Sequence, residues 1–186
     1  PAEPVAEDFV GGTDWGFLLD EVPVGEYDVT LSIGDALSTA SSTNATMTLE
    51  GVAQTRMTTS KGTTATETFR TVVEDGQLTV GFTGSGLGAY VNGLEVVPVT
   101  PADPADLAVT RVAWNGVDLA WTASDGAATY RVLRADVTDD TTGEFVEIAE
   151  TTDAAYTDAT VAEGGSYAYA VVAVSAYDRE SAASTS

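Results

Sequence analysis

Apolar and polar positions alternate with a period of two along most of this chain, and no segment keeps the 3.6-residue period of an amphipathic helix. Tyr27, Val29, Leu31 and Ile33 alternate with Asp28, Thr30 and Ser32. That predicts a strand with one buried face, entered through the turn Val22-Pro23-Val24-Gly25-Glu26. Ala45, Met47 and Leu49 repeat the pattern and stop at Glu50-Gly51. A strand around residues 69–73 is expected to meet one at 78–82 through Glu74-Asp75-Gly76-Gln77, a hairpin signal built on Asp-Gly. Gly81, Gly84, Gly86 and Gly88 loosen the chain before a last strand at 90–97. Short antiparallel strands without crossover helices point to a jelly roll.

The second half repeats the all-β signature. Val117, Leu119 and Trp121 alternate with Asp118 and Ala120, and strands are expected at 130–134 and 145–149 around a polar loop at 136–143. The run from Tyr167 to Val174 is apolar on both faces, as a central sandwich strand should be. Three prolines fall within Pro98-Val99-Thr100-Pro101-Ala102-Asp103-Pro104, which predicts a short, stiff linker. The reading is therefore two all-β domains, residues 1–99 and 100–186.

Composition narrows the chemistry. The chain has no His and no Cys, which removes the commonest base near neutral pH, Ser–His catalysis, thiolate metal sites and disulfides. Twenty-nine acidic residues face seven basic ones, for a net charge of −22. Residues 1–100 hold 14 acids and three bases, residues 101–186 hold 15 and four, so each half carries −11. Nucleic acid and anionic membrane surfaces are repelled by such a chain. A GC-rich coding bias and adaptation to high salt both fit this even spread, and structural Ca2+ is a third reading. No run approaches the roughly 18 apolar residues of a membrane span, and the start at Pro1 without Met reads as a processed or excised fragment.

Two resemblances sharpen the picture. Residues 102–186 resemble a fibronectin type III domain through Leu107, Trp121 in VDLAW, the strand YRVLRA and the stretch YTDATVAEGGSYAYAVVAVSAYDRES. Trp121 looks like that family's core tryptophan, and Tyr167 like its corner tyrosine, whose hydroxyl bonds back to the chain just upstream. Residues 8–99 resemble the galactose-binding-like sandwiches of bacterial pectin and rhamnogalacturonan lyases and acetylesterases, relatives of family 35 carbohydrate-binding modules and malectin. FLLDEVPVGEYDVTLSIGDA, MTLEGV, TFRTVVEDGQLTVGF and AYVNGLEVVPV carry that likeness. Family members have a first strand upstream of the DFVGG-like segment, where this chain has only seven residues before Asp8. The resemblance thus implies a missing strand: either the module is trimmed, or another chain or segment completes the sheet.

A sugar is held by an aromatic face and by planar polar groups. Trp15, in a Gly-rich run, is either such a face or an aromatic that caps the sandwich. Tyr90 and Asn92 open the last strand, where the resemblance implies an Asn near the ligand; the alternative is an Asn that bonds a neighbouring loop. Arg56 and Lys61 are the cations to meet a uronate carboxylate, or else plain surface charges. Asp8, Asp14, Asp20, Glu50 and Glu95 are candidate Ca2+ ligands, assembled only by folding because no EF-hand spacing occurs. Asn44-Ala45-Thr46 fits a glycosylation sequon, and Trp114 is expected to pack in the second domain or at the domain junction.

The expectation is a non-catalytic carbohydrate-binding module plus spacer from a secreted or cell-surface polysaccharide-degrading enzyme. It needs no cofactor, and its partner is polysaccharide, with no nucleic acid and no membrane insertion. The alternative is a structural subunit of an extracellular filament or surface layer, self-assembling through strand edges.

Overall fold

The computed structural model describes residues 10–34, 44–84, 89–114 and 116–185. Every named element is a strand, and the chain divides into two compact units, Pro1–Val99 and Thr100–Ser186.

The first unit contains β1 (Val10–Gly12), β2 (Asp14–Leu19), β3 (Gly25–Gly34), β4 (Asn44–Leu49), β5 (Val52–Ala53), β6 (Met57–Thr58), β7 (Thr64–Val73), β8 (Leu78–Gly84) and β9 (Ala89–Pro98). One sheet has the order β1-β9-β3-β7, and the other has β2-β8-β4-β5 with β6 also on β4. Taking β5 and β6 as one interrupted strand, successive strands alternate between the two sheets except where β4 turns back on β5 and β6 within one sheet, which is jelly-roll order. Strand β1 is part of the Asp8–Gly12 segment itself and pairs with Ala89–Val91, while the position of the strand expected upstream of it lies outside the described residues.

Period-two patterning fills the core from both sheets. Val29, Leu31 and Ile33 of β3 face Ala45, Met47 and Leu49 of β4, and all are at most 1 % exposed. Burying each larger one is worth about 1.5–3 kcal/mol. The outward positions of β3 and β7 pair across the strands: Arg70 donates twice to Asp28 at 2.9 and 3.1 Å, and the Thr30 and Thr68 hydroxyls lie 2.8 Å apart.

The turn at Glu74–Gln77 corrects one sequence expectation. Gly76 takes φ +85° and the Asp75 carboxylate accepts from the Gln77 amide, so the Asp-Gly turn forms. It joins no hairpin, however. Strand β7 pairs β3 while β8 pairs β2 and β4, so the turn carries the chain across the core to the other sheet. Each strand has a buried face, and only opposite sheets let both faces meet.

The second unit contains β10 (Ala105–Ala113), β11 (Gly116–Thr122), β12 (Thr129–Thr138), β13 (Thr141–Thr142), β14 (Val146–Thr151), β15 (Ala155–Asp158), β16 (Tyr167–Val174) and β17 (Ser184–Thr185). A sheet β10-β11-β15 faces a second sheet in which β14 and β16 flank β12 and β17 pairs β16. Trp121 is 6 % exposed and meets Tyr130 edge-on at 5.3 Å in this core. The Tyr167 hydroxyl accepts from the Ala162 amide at 2.9 Å, as the corner tyrosine should.

The proline-rich segment is not a free linker. Pro98 ends β9 opposite Tyr27, and the Val99 amide donates to Glu26. Pro101 and Pro104 are buried, the Ala102 amide donates to Asp125, and Asp103 accepts from the Ala182 amide. The prolines therefore terminate one unit and start the other. Trp114 also departs from expectation: it follows β10 and is 85 % exposed.

Candidate functional site

Antiparallel pairing gathers distant segments at one end of the first unit. Here β3 ends at Gly34 opposite Thr64 of β7, β8 ends at Gly84 opposite Ala45, and β9 starts beside β1. Strand β2 starts at the same end, with Asp14 opposite Thr83.

Asn92 reaches this end through a break in the ladder. Ser32 pairs with Gly93 and Ile33 with Val91, so Asn92 is the extra residue of a β-bulge. Bulges re-aim a side chain and are over-represented beside functional sites. The Asn92 Oδ1 is buried without a hydrogen-bond partner. Two further atoms at this end share that condition, Oδ1 of Asn44 at the start of β4 and Nε1 of Trp15. A buried polar atom left unpaired costs about 1–3 kcal/mol, so each demands an explanation. Sequence reading singled out Asn44 only as a sequon; its place within β4, with Oδ1 shielded, is unlike the exposed loop that glycosylation uses.

The Trp15 ring has one face taken up by packing. It lies opposite Phe82 and stacks on it at 4.5 Å, with Phe17 tilted against it at 6.4 Å. Its indole caps the core, and only the N–H remains to be satisfied.

The cations stand around this end. Lys61 is exposed in the turn Ser60-Lys61-Gly62-Thr63, where Gly62 takes φ +73° and the Thr63 hydroxyl donates to the Ser60 carbonyl at 2.8 Å. Arg56 is exposed and donates from Nε to Thr46 Oγ1 at 3.4 Å. Among the described residues, Arg70, Arg111, Arg131 and Arg134 are ion-paired, whereas Arg56 and Lys61 pair with no carboxylate. Tyr90 pairs through its backbone with Gly11. All five sequence-predicted ligand residues therefore come to one end.

The carboxylates do not come together. Asp20 accepts from Gln77 at 2.7 Å and Glu50 from the Thr79 amide at 2.6 Å, both at the opposite end. Glu95 lies mid-strand opposite Thr30, and Asp14 stands alone of the four at the cation end. Asp8 lies outside the described residues. No group of three potential ligands occurs among the described residues, and the four described candidates do not come together as a Ca2+ cage would need.

No protein-family model matches the chain, and no curated protein matches it. Solved structures do. An Fn3-like protein from Clostridium thermocellum is 34 % identical over 47 % of this chain and 92 % of its own, with a TM-score of 0.38. The fn3 domain of human collagen alpha-1(XX) chain is 22 % identical over 48 % of this chain and 83 % of its own, with a TM-score of 0.39. A segment of two fibronectin type III domains from chicken tenascin covers 97 % of this chain and 96 % of its own at 12 % identity, with a TM-score of 0.57. At that identity the tenascin likeness speaks of fold alone. Taking β13 and β14, both paired with β12, as one interrupted strand gives a three-plus-four arrangement, and with the buried Trp121 and the Tyr167 corner the Thr100–Ser186 unit has a fibronectin type III-like fold. Domains of this kind are in general non-catalytic accessory parts, often spacers in extracellular or multidomain proteins.

Proposed function

We propose that this chain is the carbohydrate-binding module and spacer of a secreted polysaccharide-degrading enzyme, and that the first unit takes a uronate-containing polysaccharide at the Arg56–Lys61–Asn92 end. The observation that carries the reading is electrostatic. In a chain of 29 acids, Arg56 and Lys61, which pair with no carboxylate among the described residues, stand at the same end as three buried, unpaired polar atoms. A uronate carboxylate would meet the guanidinium or ammonium, and planar amides suit paired sugar hydroxyls. The second unit then spaces this end from other parts of the enzyme.

Single-module sugar binding of this kind is shallow, with affinity in the millimolar to micromolar range, about −4 to −8 kcal/mol. The test is calorimetric titration with rhamnogalacturonan and polygalacturonate oligomers. Arg56→Ala with Lys61→Ala should weaken binding about tenfold or more, and added salt should weaken the wild type likewise. Undiminished affinity in the double variant, or no binding by the wild type, would defeat the proposal.

A second reading, as a subunit of a filament or surface layer, draws on one edge. Strand β7 is ten residues long, and no described strand pairs with its outer side. Such an edge can accept a neighbour's strand. Sedimentation at high protein concentration decides it: a single monomeric species removes this reading.

A further inference from the structure

We infer that the groove beside Trp114 in the second unit is a separate stacking subsite for a neutral, β-1,4-linked glycan. Among the described residues Trp114 is the most exposed of the large apolar side chains, and Val112 nearby is 74 % exposed. Next to them lies a groove of about 390 Å³, whose lining includes Val112, Trp114, Val161, Glu163, Gly164 and Tyr167.

The sequence keeps this groove bare. Gly164 adopts φ +76° and a Cβ there would meet nothing within 4 Å, so the absent side chain is open space. At Gly165 a Cβ would lie 2.5 Å from the Tyr167 hydroxyl oxygen, so no larger residue fits under that ring. Tyr167 is itself fixed, its oxygen accepting from Ala162 and its ring lying 4.8 Å from the Arg134 guanidinium. Arg134 in turn is committed to Asp158 at 2.8 Å.

These facts select the ligand's chemistry. No Lys or Arg lines the groove and one carboxylate does, so an anion such as a uronate is disfavoured here. The volume suits a small ligand and falls at the low end of ligand pockets, about 300–1,000 Å³. A stable protein partner would need about 800 Å² of surface on each side. A pyranose with equatorial hydroxyls has a flat C–H face to lay on an indole, while its hydroxyls reach rim acceptors such as Glu163 and peptide carbonyls. Linking such rings β-1,4 keeps the faces accessible along an extended chain. The site lies on another unit from Arg56 and Lys61 and takes an uncharged ligand, so it stands independently of the proposal above.

The test uses the full chain titrated with cellohexaose and xylohexaose, read by tryptophan fluorescence and calorimetry. Trp15 and Trp121 are packed, so a sugar on the groove changes mainly the Trp114 emission. The expected result is saturable binding that Trp114→Ala weakens about tenfold or more, that Trp114→Phe partly keeps, and that Arg56→Ala with Lys61→Ala leaves unchanged. Because Trp114 is exposed, the alanine variant should keep the wild-type circular dichroism. Any of three results would overturn the inference: no response up to about 10 mM of either sugar, equal affinity in Trp114→Ala, or uptake of the apolar dye anilinonaphthalene sulfonate without any sugar binding. The last would assign the groove to an apolar protein segment.

Discussion

The Arg134 guanidinium donates to the Asp158 carboxylate at 2.8 Å, and Asp158 has no exposed surface. The carboxylate also accepts from the Thr160 amide at 2.8 Å, the Thr160 hydroxyl at 2.7 Å and the Tyr169 hydroxyl at 3.0 Å. Burial pushes the Asp158 pKa up, but the Thr160, Arg134 and Tyr169 hydrogen bonds together outweigh it and hold the carboxyl below its ordinary value of 3.8. A depressed carboxyl stabilises the fold above its unfolded pKa and loses that contribution as pH falls through the folded one. The second unit should therefore weaken progressively below about pH 4. Asp158→Ala should cost about 3 kcal/mol at neutral pH, because Arg134 loses its counter-charge, and should flatten the acid dependence. Urea unfolding of the two proteins at pH 7 and pH 3 checks both statements; an unchanged acid slope in the variant would count against them.

Tyr169 gives the alkaline counterpart. Burial, then the hydrogen bond to Asp158, raises its pKa well above the usual 10. The unfolded chain releases this proton first, so the stability is whole below about pH 10 and declines above it. Spectrophotometric titration should show one tyrosine that ionises only as the second unit unfolds. Tyr169→Phe should remove that late step.

Gly165→Ala should destabilise the second unit by about 1–3 kcal/mol, since the new Cβ would press on the Tyr167 hydroxyl and ring. Tyr167→Phe removes only the acceptor for the Ala162 amide and should cost about 1 kcal/mol. Thermal melts of both variants would expose an error if the order of the two effects were reversed.

Two glycines that face each other across β2 and β8 should respond unequally. A Cβ on Gly16 would lie 2.5 Å from the Val80 carbonyl oxygen, which is backbone and cannot step aside. A Cβ on Gly81 would meet the Thr48 hydroxyl, which can change rotamer. Gly16→Ala is expected to lower the melting temperature of the first unit several times more than Gly81→Ala. Equal shifts would mean that the β2–β8 pair yields as a whole.

How much of this was legible in the sequence depends on range. Alternation at Tyr27–Ile33, Ala45–Leu49 and Val117–Trp121 marked the buried faces correctly, because a half-buried strand has to alternate. Alternation does not say which sheet a strand joins, so Asp75-Gly76 read as a hairpin turn although it crosses the core. Arg56, Lys61 and Asn92 each stand out in the sequence only by their own chemistry; only long-range pairing puts them at one end. Asn44 escaped notice as a site residue because its burial comes from that same assembly. Asp158 was hidden among 29 acids, in a Thr-Asp-Ala-Thr stretch with no apolar periodicity. Trp114 was assigned to packing because apolar type alone favours burial, and exposure at a turn is a property of the fold.

The position of β8 and β9 in their sheets has a consequence for biosynthesis. Among the described strands, β1 pairs only with β9 and β2 only with β8, so the earliest strands wait for the latest. A nascent chain that has reached residue 77 can form the β3–β7 pair and the β4 hairpins but neither complete sheet. One sheet can close once β8 has emerged, and the first unit as a whole closes only once Pro98 has. Pauses in translation shortly after that point, rather than within the unit, would give it time to mature before the next domain competes for the same apolar strands.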